Sequence, residues 1–204
     1  MSAVPWLWLV AGPNGAGKSS SARELLGESL EIVNPDVFAV RLSPHTPENA
    51  ALRAGREAIQ RTRNLIAEGR TFAVETTLSG RSYAATVRRA RSQGFRIGLI
   101  YIGLATAQLA ITRVRARRAR GGHDVPPNDV RRRYARGLRN LASFTALADR
   151  ALFFDNSSSR LPLKRILELN EGKTIFRLSR LPIWIRQAVG MASLYRSNPR
   201  HRGR

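Results

Sequence analysis

Eight residues near the start of the chain, Gly12-Pro13-Asn14-Gly15-Ala16-Gly17-Lys18-Ser19, satisfy every fixed position of the pattern G-x-x-x-x-G-K-[ST]. The unbroken apolar run Trp6-Leu7-Trp8-Leu9-Val10-Ala11 leads into them, as a strand buried on both faces requires. Ser20 to Leu26 follows with helix character, and Gly27 is a C-terminal stop. Strand, glycine loop and helix in that order turn a short pattern into a physical expectation. The glycines let backbone N–H groups converge on an anion, and the helix N-terminus adds partial positive charge. Residues Gly12, Pro13, Asn14, Gly15, Ala16, Gly17, Lys18, Ser19 and Ser20 are therefore the expected site for a nucleoside triphosphate. Lys18 is expected to reach its β- and γ-phosphates, and the Ser19 hydroxyl to ligate Mg2+.

The rest of the chain alternates strand and helix patterns. Strands are expected at Glu31–Asn34, Thr71–Thr76, Phe95–Leu104 and Ala151–Phe154, with helices between them. Val37–Leu42 reads as a further turn, and Thr46-Pro47-Glu48 as the start of the next helix. Further helices are expected over Arg81–Gln93, Thr106–Arg120 and, after the breaker Gly121–Pro127, from Pro127 or Asn128 to Asp149. The fold class expected is three-layer α/β, a mostly parallel sheet of about five strands covered on both faces. A single domain of 204 residues is expected, with its core at 5–157. Residues 158–194 form a weaker extension with a strand at Thr174–Leu178 and a helix over Leu181–Leu194, and 195–204 a basic tail.

Composition narrows the chemistry. Without cysteine, disulfides and thiolate metal sites are excluded, and His45, His123 and His201 lack ligand spacing for zinc. The opening apolar run has no basic lead and no later run spans a bilayer, so a cytoplasmic location is expected and no membrane partner. The net charge of +21 is lopsided: residues 1–110 hold 13 basic and 8 acidic groups, residues 111–204 hold 22 and 6. A nucleic-acid-associated ATPase using that basic half is the alternative reading; it predicts binding that weakens steeply with salt. No nucleic-acid module and no interleaved aromatics accompany the charge, so an arginine-rich chain handling several phosphates is the favoured reading.

In open parallel sheets ligands sit beyond the carboxyl ends of the strands, so polar residues there carry the chemistry. Asp36 follows strand two and Glu75, Thr76 and Thr77 end strand three, bringing two carboxylates toward the phosphate loop. Such a pair supplies a base and a metal or substrate ligand for phosphoryl transfer. Asp36 also suits a turn or helix cap after Pro35; Glu75, on an apolar strand, requires a partner. Arg132 and Arg133 are candidates to clamp phosphates from the helix after Pro127, or belong to a solvated basic face.

The ordered set of Gly12–Ser19, Asn34-Pro35-Asp36, Glu75-Thr76-Thr77-Leu78-Ser79-Gly80, Gly121-Gly122-His123-Asp124-Val125-Pro126 and Asp155-Asn156-Ser157 resembles the zeta-toxin family of P-loop kinases. The resemblance covers roughly Trp6 to Ser157. It implies transfer of the γ-phosphate of ATP or GTP to a small-molecule hydroxyl, in characterised members that of a UDP-N-acetylamino sugar. It also implies a toxin neutralised by a small antitoxin, and an acidic antitoxin suits the charge. By the resemblance Asp36 is the general base, Glu75 and Thr77 bind substrate, and the basic segment through Pro126 is an arginine-bearing lid. His123 stands where toxin members carry a lid arginine, so Arg113, Arg117 or Arg120 is expected to neutralise the migrating phosphoryl in its place. The chain is also short around the acceptor pocket. Leu78-Ser79-Gly80-Arg81-Ser82 resembles the signature loop of ABC-type ATPases, but the following strand lacks the acidic residue that reading needs.

Overall fold

The computed structural model describes residues 3–80, 82–122 and 125–189. The expectations for His123 and for the tail 195–204 lie outside the described residues. Strand β1 (Trp6–Ala11) leads through the glycine loop to α1 (Lys18–Leu26), β2 (Ile32–Val33) and α2 (Pro35–Leu42). A 3-10 turn at Pro47–Ala50 precedes α3 (Ala51–Ala67), β3 (Phe72–Thr76), α4 (Ser82–Ser92) and β4 (Arg96–Gly103). Then come α5 (Ala107–Arg118), α6 (Pro127–Leu147), β5 (Arg150–Asp155), β6 (Lys164–Asn170), β7 (Lys173–Arg177) and α7 (Ile183–Val189).

The strands form one sheet in the order β2-β3-β1-β4-β5-β6-β7. Its first five members run parallel, with β1 paired to β3 (Leu9 opposite Val74) and to β4 (Leu9 opposite Leu99). Alternation along β1 divides the core between the two faces of the sheet. Leu7, Leu9 and Ala11 join Leu65 of α3, Val87 of α4, Leu141 of α6 and Ile185 of α7. Val10 packs instead on Ala22 of α1, while Ile100 and Ile102 of β4 meet Ile111 and Val114 of α5. Each such leucine, isoleucine or valine fully removed from water contributes roughly 1.5–3 kcal/mol. The architecture is thus three-layer α/β. Among the described residues no helix is long and apolar enough to cross a membrane.

Three local expectations change. The sheet has seven strands, because β6 and β7 extend it as an antiparallel hairpin. Its two-residue turn has positive φ at Glu171 (49°) and Gly172 (76°), the primed geometry that matches strand twist. Glu168 on β6 is buried among Arg150 and Arg165, which satisfy its charge at 2.8 and 3.1 Å. The segment Val37–Leu42 is helical, not a turn. Pro35 occupies the first turn and the Asn34 side chain accepts from the Asp36 N–H at 2.9 Å, so a capped start nucleates α2. The helix expected from Thr46 begins instead as the 3-10 turn, and α3 proper starts at Ala51.

Candidate active site

The parallel strands bring four segments together at their carboxyl edge: the loop after β1, the start of α2, the end of β3 and the loop after β5. Gly12 has φ 145°, and a Cβ there would lie 2.2 Å from the Ile102 carbonyl oxygen of β4, so only glycine lets the chain leave the sheet at this point. Gly17 caps α1 in a left-handed conformation, φ 86°, with no side-chain cap. The first N–H groups of α1 therefore have no capping side chain, the arrangement that receives a phosphate. From the far side, Asn156 donates to the Ala16 carbonyl at 2.9 Å and braces the loop against β5.

Lys18 is buried to 7 % exposure, donates to the Pro13 carbonyl at 3.0 Å and lies 3.8 Å from Glu75. Burial lowers its pKa below the usual lysine value; the charges of Glu75 and Asp36 oppose that, and those of Arg117 and Arg133 add to it. The net direction is downward although an acid is close, because desolvation is the largest of these effects. Glu75, 9 % exposed, accepts from the Ser19 hydroxyl at 2.8 Å and from Asn34 Nδ2, also at 2.8 Å. The carboxylate that an apolar strand had to pair is thus held by two neutral donors and one cation. Asn34 serves both sides, since its Oδ1 caps α2 and so positions Asp36.

Two cavities meet at these residues. One, of about 340 Å³, is lined by Lys18, Asp36, Glu75, Thr76, Tyr83 and Arg133 among others. The other, of about 500 Å³, lies over the loop and is lined by Gly17, Ser19, Ser20, Arg113, Arg117 and Arg120, again with Lys18 and Glu75. Asp36 stands at the mouth of the first cavity, exposed to solvent yet close enough for its charge to act on Lys18. Thr76 and Thr77 line the same cavity; the Thr76 hydroxyl accepts from the Leu78 N–H at 3.0 Å, and the Thr77 and Ser79 hydroxyls are 2.9 Å apart. The Asn14 amide oxygen, in the wall, is buried without a hydrogen-bond partner among the described residues.

The arginines divide. Arg113, Arg117 and Arg120 stand along α5 and just beyond it, over the loop cavity, and Arg120 Nε also donates to the Ala116 carbonyl at 3.2 Å. Arg133 faces the first cavity. Arg132 corrects the expectation of a paired clamp: it turns to Asp129 at 2.9 Å, is half exposed, and lines neither cavity. Successive helical residues point about 100° apart, so two adjacent arginines do not face one cleft. Sequence reasoning gave no role to Asn34, Asn156 or Tyr83. The first two lie within polar triplets at strand ends, which was the available signal; Tyr83 had none.

The donor set around Ser19 and Glu75 consists of oxygens, which suits a hard cation. Among the described residues no three His, Cys, Asp or Glu side chains cluster as a metal site.

A family model described as an AAA domain matches residues 7–141. The chain belongs to this AAA domain family. It is 35% identical over 124 residues to an uncharacterized protein of Haemophilus influenzae, an alignment covering 60% of this chain and 88% of that protein. Among solved structures it resembles the AvrRxo1-ORF1:AvrRxo1-ORF2 complex with sulphate ions and with ATP, at TM-scores of 0.66 and 0.65 and 18% and 17% identity. These alignments cover 83% of this chain and 60% of the other, so the chain spans less than two thirds of that relative. It also resembles the PezAT chromosomal toxin-antitoxin system of Streptococcus pneumoniae, with a TM-score of 0.58 and 19% identity over 80% of this chain and 72% of the other. At these identities the likeness is one of fold. The chain shares the three-layer α/β fold of these structures, and the resemblance to the zeta-toxin family read from its motifs agrees with them at the level of fold.

Proposed function

We propose that this AAA-domain family member is a P-loop kinase that moves the γ-phosphate of ATP or GTP onto a hydroxyl of a small molecule. The observation that carries the reading is the sharing of Lys18 and Glu75 by two cavities, one over the phosphate loop and one holding Asp36. A nucleotide in the loop cavity presents its terminal phosphate at that junction, and an acceptor in the other cavity approaches it from the far side.

The chain's own groups then have distinct tasks. The loop N–H groups and Lys18 hold the β- and γ-phosphates. Asp36 orients the acceptor hydroxyl and takes its proton as the oxygen bonds to the γ-phosphorus and the bond to the β–γ bridging oxygen breaks. Arg117 and Arg120, over the loop, and Arg133, across the junction, offset the charge of the migrating phosphoryl. Ser19 and Glu75 fit Mg2+, which when bound supplies charge neutralisation at the phosphates. Positioning and fixed charge account for the catalysis in such a site.

A UDP-N-acetylamino sugar is the first acceptor to try, and an acidic antitoxin is the partner that the zeta-toxin resemblance and a net charge of +21 favour. The test is mass spectrometry of a metabolite extract incubated with ATP and protein. The reading requires a species heavier by one phosphate, formed by the wild type and not by Asp36→Ala; a product formed equally by both removes the proposed base.

A further inference from the structure

Behind the acceptor cavity lies a second recess of about 170 Å³, between α3 and α4. Gly55, Ile59, Thr62 and Thr86 line it, and Pro35 and Tyr83 belong to both its wall and that of the acceptor cavity. The lining of the recess is mainly apolar, with Ile59, Pro35 and the Tyr83 ring in its wall, and the Thr62 hydroxyl is already committed to the Ala58 carbonyl at 2.8 Å. What separates the two spaces is therefore the Tyr83 ring together with Pro35.

The Tyr83 phenol is the second observation. The ring is mostly buried and packs against the main core cluster, while its hydroxyl stays accessible and makes no hydrogen bond to any described residue, so a molecule in the cavity can reach it. Burial, with the charges of Glu75 and Asp36 adding to it, pushes its pKa up to about 12. It keeps its proton at neutral pH and is a donor, not a base.

We propose that Tyr83 sizes and anchors the acceptor: its hydroxyl donates a hydrogen bond to the molecule phosphorylated, and its ring shuts that molecule out of the recess behind. The acceptor is accordingly a compact polyhydroxylated head group with no apolar branch on the side that faces α4. The proposal rests on the reading of the Asp36 cavity as an acceptor site and adds to it a specificity residue.

Straight-chain 1,2-diols from ethane-1,2-diol to hexane-1,2-diol, titrated in the presence of a non-hydrolysable ATP analogue and followed by NMR of labelled protein, separate the two roles. For the wild type, affinity stops rising after the shortest members. Tyr83→Phe keeps that cut-off and weakens every diol by about fivefold, the worth of one hydrogen bond. Tyr83→Ala tightens binding by about threefold to fourfold per added methylene as the tail enters the recess. Tyr83→Leu replaces it where Tyr83→Ala lacks a cooperative thermal transition. Equal length profiles for wild type and the truncated variant, wild-type affinities in Tyr83→Phe, or no diol bound by the wild type would each overturn the proposal. Phosphate transfer to a metabolite extract is measured alongside. Diol binding that obeys Tyr83 without any transfer strikes only the kinase reading, and transfer without a Tyr83 effect strikes only this one.

Discussion

The Ser19 hydroxyl donates to the Glu75 carboxylate, 2.8 Å from Oε2 and 3.1 Å from Oε1, and so ties the start of α1 to the end of β3 across 56 residues. Asn34 donates to the same Oε2. Glu75 thus belongs to the phosphate loop as much as to the cavity that holds Asp36. The zeta-toxin resemblance had assigned it only to the acceptor.

That double position predicts the outcome of Glu75→Gln. The amide preserves shape but loses the charge that a magnesium ion at Ser19 would require. Phosphate transfer should fall, and the Mg2+ concentration for half-maximal activity should rise by about 10- to 100-fold. A magnesium titration of ATP turnover measures it; an unchanged requirement would move Glu75 wholly to the acceptor side.

Asp36 is set apart by its exposure and by its place on α2, away from the loop. Asp36→Asn keeps the helix cap, because the cap uses the backbone N–H of Asp36 and the side chain of Asn34. Nucleotide affinity should persist while transfer to acceptor falls by about 10²- to 10⁴-fold, the usual worth of a general base. Titration with a fluorescent nucleotide and product analysis on the same protein give both numbers.

Lys18 predicts a pH dependence. Its pKa is lowered by burial, and only the protonated ammonium attracts phosphate. Nucleotide affinity is therefore lost as pH rises through that depressed pKa, with the loss setting in below the usual lysine range. Bound phosphate stabilises the ammonium and shifts the loss upward in the complex. Lys18→Arg, whose guanidinium stays charged, should bind more weakly but with little change from pH 7 to about 10.5. Parallel titrations decide it, since a wild-type curve as flat as that of Lys18→Arg would show that Lys18 does not titrate in this range.

Why some of this was legible from residues alone follows from where the forces act. The loop, β1 and α1 could be read because glycine spacing and one apolar run determine them locally. The parallel core followed from strand and helix alternation. Strand β6 could not be read, because Ile166, Leu167 and Leu169 do not alternate cleanly and the charge that breaks their pattern, Glu168, is neutralised by Arg150, 18 residues away. Helix α2 has eight residues, too few for a convincing apolar period, although its cap and proline stood in view. The division between Arg132 and Arg133 depends on the phase of α6, set by Val130, Gly137 and Leu141 facing inward. Tyr83 becomes part of the site only because α4 folds over the cleft, a tertiary fact with no local sign.

The contact between α6 and the loop after β3 gives the last prediction. Gly137 lies against the Thr77 carbonyl, so closely that a Cβ would stand 2.5 Å from its oxygen, and one turn on Asn140 donates to the Leu78 carbonyl at 2.7 Å. Leu78 is held at φ 53°, unusual for a side chain of its size, and is fully buried. Helix and loop therefore position one another, and Arg133 is carried on the same helix. In an unconstrained helix, alanine in place of glycine gains about 1 kcal/mol. At Gly137 the collision is with backbone, which yields only by displacing the loop, at a cost of roughly 1–3 kcal/mol. Gly137→Ala should thus lower the denaturant midpoint and raise the acceptor KM more than it changes nucleotide affinity. Gly55→Ala on α3, where the added Cβ meets nothing within 4 Å, should raise the midpoint instead. Chemical denaturation of the two variants side by side provides the comparison: equal stabilisation of both would mean that α6 does not rest on the Thr77–Leu78 backbone, and that Arg133 is not fixed at the Asp36 cavity by this route.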